Sequence, residues 1–122
     1  MPKINLFVYG TLKRRQRNHR LLAGQEFVGP ARTLPGYRLY DSGSYPCLVE
    51  DAKNGVAVVG EIWRVDEACL PQLDRLEGAP ALFRRAPIAA ADFPEPLFAY
   101  LFNGDVTTLM ECGDTWPAPS VV

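Results

Sequence analysis

The sequence predicts an α+β domain, a sheet that curls around a core with one main helix packed to one side. Three observations carry this. Apolar and β-branched runs bounded by Gly, Pro, Asn and Asp recur along the chain, and one stretch alone carries both a start and a stop signal for a helix of useful length. The chain is 122 residues long, enough for a single core that holds without disulfides or metal.

The first expected strand, Ile4–Tyr9, runs into "FVYGTLK" at residues 7–13, where a buried strand meets a glycine, a hydroxyl and a cation. Three readings fit this stretch. Gly10 permits a sharp turn at positive φ, Thr11 can cap a helix, or the strand end leaves several backbone N–H groups pointing one way, a nest for a carboxylate or phosphate. A short helix is expected around Asn18–Ala23. Strands follow at Glu26–Thr33, Tyr37–Tyr40 and Cys47–Glu50, separated by the turn signals "LPGY" (34–37) and "DAKNG" (51–55). The longest apolar strand, Val56–Val65, is expected to be central and leads straight into the main helix. Strands at Arg84–Ala89 and Leu97–Phe102, with "DFPEP" (92–96) as the turn between them, complete the set.

The main helix is expected over Glu67–Glu77. Asp66 suits an N-cap, and Gly78 and Pro80 supply the stop. Pro71 inside this span implies a separate first turn, a late start or a kink. At about 100° per residue, Leu70, Leu73 and Glu77 share one face, with Asp74 beside them. Glu77 therefore projects from the apolar stripe in the last turn, where desolvation and the helix C-terminus both favour its protonated form. That is the condition for an acid or base near neutral pH. The competing fate is an ion pair at the helix end with Arg84 or Arg85.

Charge is nearly balanced, 13 basic against 14 acidic residues, which gives no sign of a nucleic-acid or membrane-surface partner. The one basic cluster, Lys13, Arg14, Arg15, Arg17 and Arg20, reads as a solvated surface segment or a phosphate patch. Cys47, Cys69 and Cys112 form no CxxC pair, and His19 is the one histidine, so neither a zinc site nor a histidine-based triad is expected; His19 reads as a surface or capping residue. No stretch reaches the roughly 18 apolar residues of a membrane span and no cleavage signature stands at the N-terminus, so a cytoplasmic protein is expected.

"FVYGTLKRRQRNHRLL" (7–22), "YPCLV" (45–49), "VVGEIWRVDEACLPQLDRLEG" (58–78) and "APALFRR" (79–85) together resemble the γ-glutamylcyclotransferase-like superfamily, in particular its γ-glutamylamine cyclotransferase and AIG2-like branch. The resemblance covers about residues 4–115, and it places a single domain at 1–115 with a tail at 116–122. It implies a small mixed β-barrel of about six to seven strands with one main packed helix and a cavity at one end. It also implies a reaction: a γ-glutamyl amide becomes 5-oxoproline and a free amine as the substrate's own α-amino group attacks its γ-carbonyl. Such an enzyme requires no protein nucleophile, metal or cofactor.

By the same resemblance, Tyr9, Gly10, Thr11 and Leu12 match the substrate-binding loop, whose backbone amides hold the glutamyl carboxylate, and Glu77 matches the catalytic glutamate. Phe83 departs from the pattern, since some members carry tyrosine there; Tyr45, Tyr37 or Tyr100 are candidates to replace the hydroxyl. The expected partner is a small γ-glutamyl amide, and a monomer is the default for this size. Two other functions fit less well: a non-catalytic binding module that keeps the carboxylate nest, and a phosphate or nucleotide site, for which P-loop and GxGxxG spacings are missing.

Overall fold

In a computed structural model, residues 2–117 are described. Eight strands, one α-helix and two 3-10 turns follow in the order β1 (Lys3–Val8), a 3-10 turn (His19–Leu22), β2 (Glu26–Arg32), β3 (Tyr37–Asp41), β4 (Pro46–Glu50), β5 (Val59–Asp66), a 3-10 turn (Glu67–Cys69), α1 (Leu70–Glu77), β6 (Phe83–Ala90), β7 (Phe93–Phe102) and β8 (Met110–Glu111).

The strands form two sheets: five strands in the order β2-β5-β1-β7-β6, and three in the order β4-β3-β8. β1 is the middle strand of the larger sheet, antiparallel to β5 and parallel to β7. The longest apolar run was expected in the middle; its strand, β5, lies one place out, and Val56 and Val58 fall outside it in the connection. The barrel implied by the family resemblance does not appear as a closed ladder among the described residues. Instead the large sheet curls until its two outer strands approach at one bridge, Thr33 to Ala90, with Leu34 and Ala91 N–H bonded across the same gap.

Alternation along β1 explains the layering. Phe7 and Tyr9 enter a core between the two sheets with Leu39, Leu48, Ile62, Leu101 and Trp116. Leu6 and Val8 point the other way, into a second core beneath α1 with Trp63, Val65, Leu70, Leu73 and Tyr100. A strand covered on both faces has no polar side to show, which is why β1 reads as a continuous apolar run. Trp116, the first residue of the expected tail, is only 7% exposed and its carbonyl receives the Lys13 ammonium. Residues 118–122 of that tail lie outside the described residues.

Several boundaries differ from expectation for local reasons. Asp66 makes no side-chain cap; its N–H instead donates to Gln25 Oε1 at 2.8 Å, and a 3-10 turn precedes the α-helix proper. Pro71 then sits in the helix's first turn, where its missing N–H leaves no bond unmade. The segment expected as a short helix at 18–23 is a single 3-10 turn. "DFPEP" is not the turn: the reversal is made at Asp92, at φ 61°, and β7 begins at Phe93. Pro94 and Pro96 are tolerated because they fall in the irregular stretch between the Ile88–Leu97 and Ala90–Phe93 pairs of β6 and β7, where the ladder is interrupted. β8 gave no sequence signal, being two exposed residues without alternation.

Candidate active site

Beyond Val8 the chain crosses the end of the large sheet as the segment Tyr9–Leu12. The Tyr9 ring is committed to the core and its hydroxyl donates to the Tyr100 carbonyl. Burial, followed by the nearby Glu77 charge, pushes its phenol well above the usual range, so it remains a donor at all relevant pH. Gly10 is not in the left-handed region; its reason for being glycine is contact. A Cβ there would lie 2.4 Å from Pro46 Cγ and 2.8 Å from Pro46 Cδ, where β4 begins.

The carbonyls of Gly10, Thr11 and Leu12 are each bonded within the protein. Gly10 O accepts from Lys13 N at 3.0 Å, Thr11 O from Asn18 N at 3.0 Å, and Leu12 O from His19 Nδ1 at 2.9 Å. Asn18 Nδ2 also donates to Thr11 Oγ1 at 3.0 Å, so Thr11 caps no helix. The N–H groups of Gly10, Thr11 and Leu12 enter none of the loop hydrogen bonds among the described residues. Asn18 and His19 thus hold the Thr11 and Leu12 carbonyls in place, while the three amides keep no partner in the loop. His19, read as a surface or capping residue, also packs its edge on Trp63 at 5.1 Å.

A second clamp acts through Glu61. Its Oε1 accepts from Arg14 N and from Trp63 Nε1, both at 3.1 Å, and Oε2 accepts from Arg14 Nε at 3.2 Å. Burial pushes this carboxyl up, but the hydrogen bonds from Trp63 and Arg14, with the guanidinium charge, outweigh it and hold it below the ordinary range. Arg14 in turn lies 4.0 Å above the Phe27 ring. A basic residue read as solvated is therefore a pin for the loop.

Glu77 reaches the same place from the other side. It is the last residue of α1, one turn beyond the fully buried Leu73. Gly78, at φ 64°, closes the helix with its N–H on Arg75 O, while Ala79 N donates to Asp74 O at 2.9 Å. A cleft is lined by Phe7–Leu12, Tyr45, Pro46, Glu77 and Tyr100. The structure thus brings Glu77 and all of Tyr9–Leu12 to one cavity. Burial raises the Glu77 carboxyl to about 7. Neither arginine competes for it: Arg84 binds Glu50 at 3.0 Å and Arg85 binds Asp74 at 3.4 Å.

Of the three tyrosines considered as replacements for a hydroxyl at Phe83, Tyr45 and Tyr100 line the cleft. Tyr37 does not. The Tyr45 ring meets Phe83 edge-on at 5.9 Å, and Tyr100 donates its hydroxyl to Asp74 Oδ1 at 2.6 Å. Cys47 lies beside the site, but burial, reinforced by Asp41, Cys112 and Glu77, pushes its thiol up to about 11, so it is not a thiolate at neutral pH. A second recess shares Thr11, Tyr45 and Glu77 with the cleft and is lined further by Arg17, Asn18, Leu76, Leu82 and Phe83. The sequence did not single out Pro46, Asp74 or Glu61. The "GExW" spacing was a signal for Glu61 only through the resemblance.

Fold and cleft, set beside known proteins, define an enzyme of the cyclotransferase class. More particularly, the chain belongs to the gamma-glutamyl cyclotransferase, AIG2-like family, whose model matches residues 6–117. It is 38% identical over 109 residues to a Vibrio cholerae protein carrying the provisional name gamma-glutamylcyclotransferase, covering 89% of this chain and 92% of that one. It is 42% identical over 87 residues to the human gamma-glutamylaminecyclotransferase, covering 66% of this chain and 57% of the human one. The chain therefore spans less than two thirds of the human protein's length. Among solved structures, the mouse AIG2-like protein superposes with a TM-score of 0.74 at 28% identity, over 84% of this chain and 79% of that one.

Proposed function

We propose that the protein converts a small γ-glutamyl amide into 5-oxoproline and a free amine, with Glu77 as the acid–base group and the Gly10–Leu12 amides as the anion holder. One observation carries this reading: a carboxyl with a pKa of about 7 shares a cavity with backbone amides that have no other bonding partner in the loop. The amides take the substrate's α-carboxylate and align the chain so that its α-nitrogen lies against its own γ-carbonyl.

Ionised Glu77 accepts a proton from the α-ammonium. The freed nitrogen attacks the γ-carbon, a C–N bond forms within a five-membered ring, and the amide C–N bond breaks. Glu77 passes to the departing nitrogen the proton taken from the ammonium and then the one that the ring nitrogen sheds as it becomes the lactam N–H, so 5-oxoproline and a protonated amine leave and no water or redox partner enters the balance. A pKa near neutrality suits both transfers, because the same group must accept a proton and then give it up. Proximity within the substrate supplies much of the barrier reduction, which fits a site whose polar groups are few.

The test is 5-oxoproline release from a panel of γ-glutamyl amides by the wild type and by Glu77→Gln. Release that falls by about 100-fold or more in the variant, while 5-oxoproline still binds by calorimetry, is the expected result. Release unaffected by the substitution overturns the assignment of Glu77. Binding without turnover of any amide by the wild type replaces this reading with a binding module on the same fold.

A further inference from the structure

We propose that Lys13 is a positioning residue for the substrate's α-carboxylate: its ammonium, drawn onto the Trp116 carbonyl, holds the turn that presents the Gly10, Thr11 and Leu12 amides. This rests on the cyclotransferase reading above, since it concerns the loop which that reading gives to the carboxylate.

Lys13 differs from the rest of the basic stretch. Arg14, Arg15, Arg17 and Arg20 are exposed, whereas Lys13 is half-buried and donates its ammonium to the carbonyl of Trp116, 103 positions away. Burial lowers the pKa of that ammonium, and the charge of nearby Glu61 opposes the shift. A lysine held in this way gives up side-chain freedom and part of its hydration, so the bond it makes in return must be to a group that stays in place.

Trp116 meets that condition. Its ring is 7% exposed and packs in the core with Phe7 and Tyr9, both of which line the cleft. Two residues earlier, Asp114 O accepts from Val59 N at 2.7 Å and the Asp114 carboxylate pairs with Arg32 at 3.3 Å. Residues 114–116 are thus tied to β2, to the start of β5 and to the core on which the loop rests.

At its backbone, Lys13 closes the loop. Its N–H donates to Gly10 O at 3.0 Å and its carbonyl accepts from Gln16 N at 3.0 Å, so the turn that spans the three amides ends on this residue. Asn18 and His19 hold the Thr11 and Leu12 carbonyls, and Glu61 holds Arg14. The Gly10 end has only the bond from Lys13 N. Anchoring the side chain of Lys13 to a fixed carbonyl keeps that bond closed. A carboxylate depends on the result more than a neutral amide does, because hydrogen bonds to an ionised acceptor are roughly twice as strong.

The experiment measures by calorimetry the Kd of 5-oxoproline and of 5-oxoprolinamide, its uncharged counterpart, on wild type, Lys13→Met and Lys13→Gln. KM and kcat are taken in parallel for one γ-glutamyl amide that the wild type cleaves, with folding checked by circular dichroism. The wild type is expected to prefer 5-oxoproline by about tenfold. Lys13→Met, which keeps the apolar stem, should reduce that preference to about twofold or less and raise KM about tenfold, with kcat within about twofold of wild type. Lys13→Gln gives the same reading if the methionine variant does not fold. A preference that neither substitution moves, or a fall in kcat at unchanged KM, overturns the role of Lys13 and leaves the cyclotransferase reading standing. Equal binding of the two ligands by the wild type removes the carboxylate loop and this inference with it, while 5-oxoproline release would still uphold the reaction.

Discussion

Arg85 pairs with Asp74 at 3.4 Å, although the sequence offers it equally to Glu77 three residues further along the same helix. The Tyr100 hydroxyl, opposite Arg85 on the neighbouring strand, donates to the same carboxylate at 2.6 Å, so both groups are engaged by Asp74. Glu77 is left facing the cleft without a cation. Its raised pKa follows from burial, with no cation beside it to offset the desolvation.

Stability should therefore depend on pH through Glu77 in a definite direction. Folded Glu77 titrates near 7 and an ordinary glutamate near 4.5, so between these values the folded state retains a proton that the unfolded chain has released. The group's contribution to stability falls as pH rises through that window, by up to about 3 kcal/mol, and stays low above 7. Glu77→Gln, which cannot ionise, should melt several degrees above wild type at pH 8 and level with it at pH 4. A melting difference that does not change with pH would show that Glu77 is not desolvated.

Gly10 should be intolerant of a single methyl group for reasons of contact with Pro46, not of backbone angle. Gly10→Ala is expected to lower kcat/KM by about tenfold or more, since the loop or β4 must shift to relieve a 2.4 Å approach. Adding Pro46→Ala removes the colliding atoms and should recover most of the loss. A double variant as poor as the single one would refute the steric explanation.

Glu61 is predicted to act on binding through the loop. Glu61→Ala leaves Arg14 N and Trp63 Nε1 without their acceptor and should destabilise the fold by about 2–4 kcal/mol, measured by urea unfolding. Glu61→Gln keeps one acceptor oxygen and should fold, raising KM more than it lowers kcat. The linkage sign is opposite to that of Glu77. A carboxyl held below its ordinary range contributes stability above its unfolded pKa and loses it as pH falls through the folded one, so the variants should converge with wild type in acid.

Trp116 ties the end of the described chain to the core. Trp116→Ala should cost about 3 kcal/mol or more, while Trp116→Phe should be close to neutral, because the indole N–H is buried without a partner and its loss removes an unmet donor. Equal melting temperatures for wild type and Trp116→Ala would show that this segment adds nothing to the fold.

What the sequence determined by itself was local or periodic. The buried character of β1, the turn chemistry of "DAKNG", the stop at Gly78 and the placing of Glu77 on the Leu70–Leu73 stripe all follow from side-chain spacing and from the few residues that tolerate special backbone angles. The strand end at Gly10 and Thr11 already read as an anion nest among other possibilities, and the resemblance gave Tyr9–Leu12 its substrate-binding role. Tertiary structure decided the rest, because each remaining question concerned partners distant in the chain. Only the packing of β4 against the end of β1 shows why position 10 must lack a Cβ. Folding brings Tyr100 and Arg85 to Asp74 and leaves Glu77 without either, and Glu61, 47 positions after Arg14, turns a basic stretch into an anchored one. Spacing can set the direction in which a side chain leaves its own helix or strand; the groups it meets, and hence its charge at neutral pH, depend on segments that only folding brings beside it.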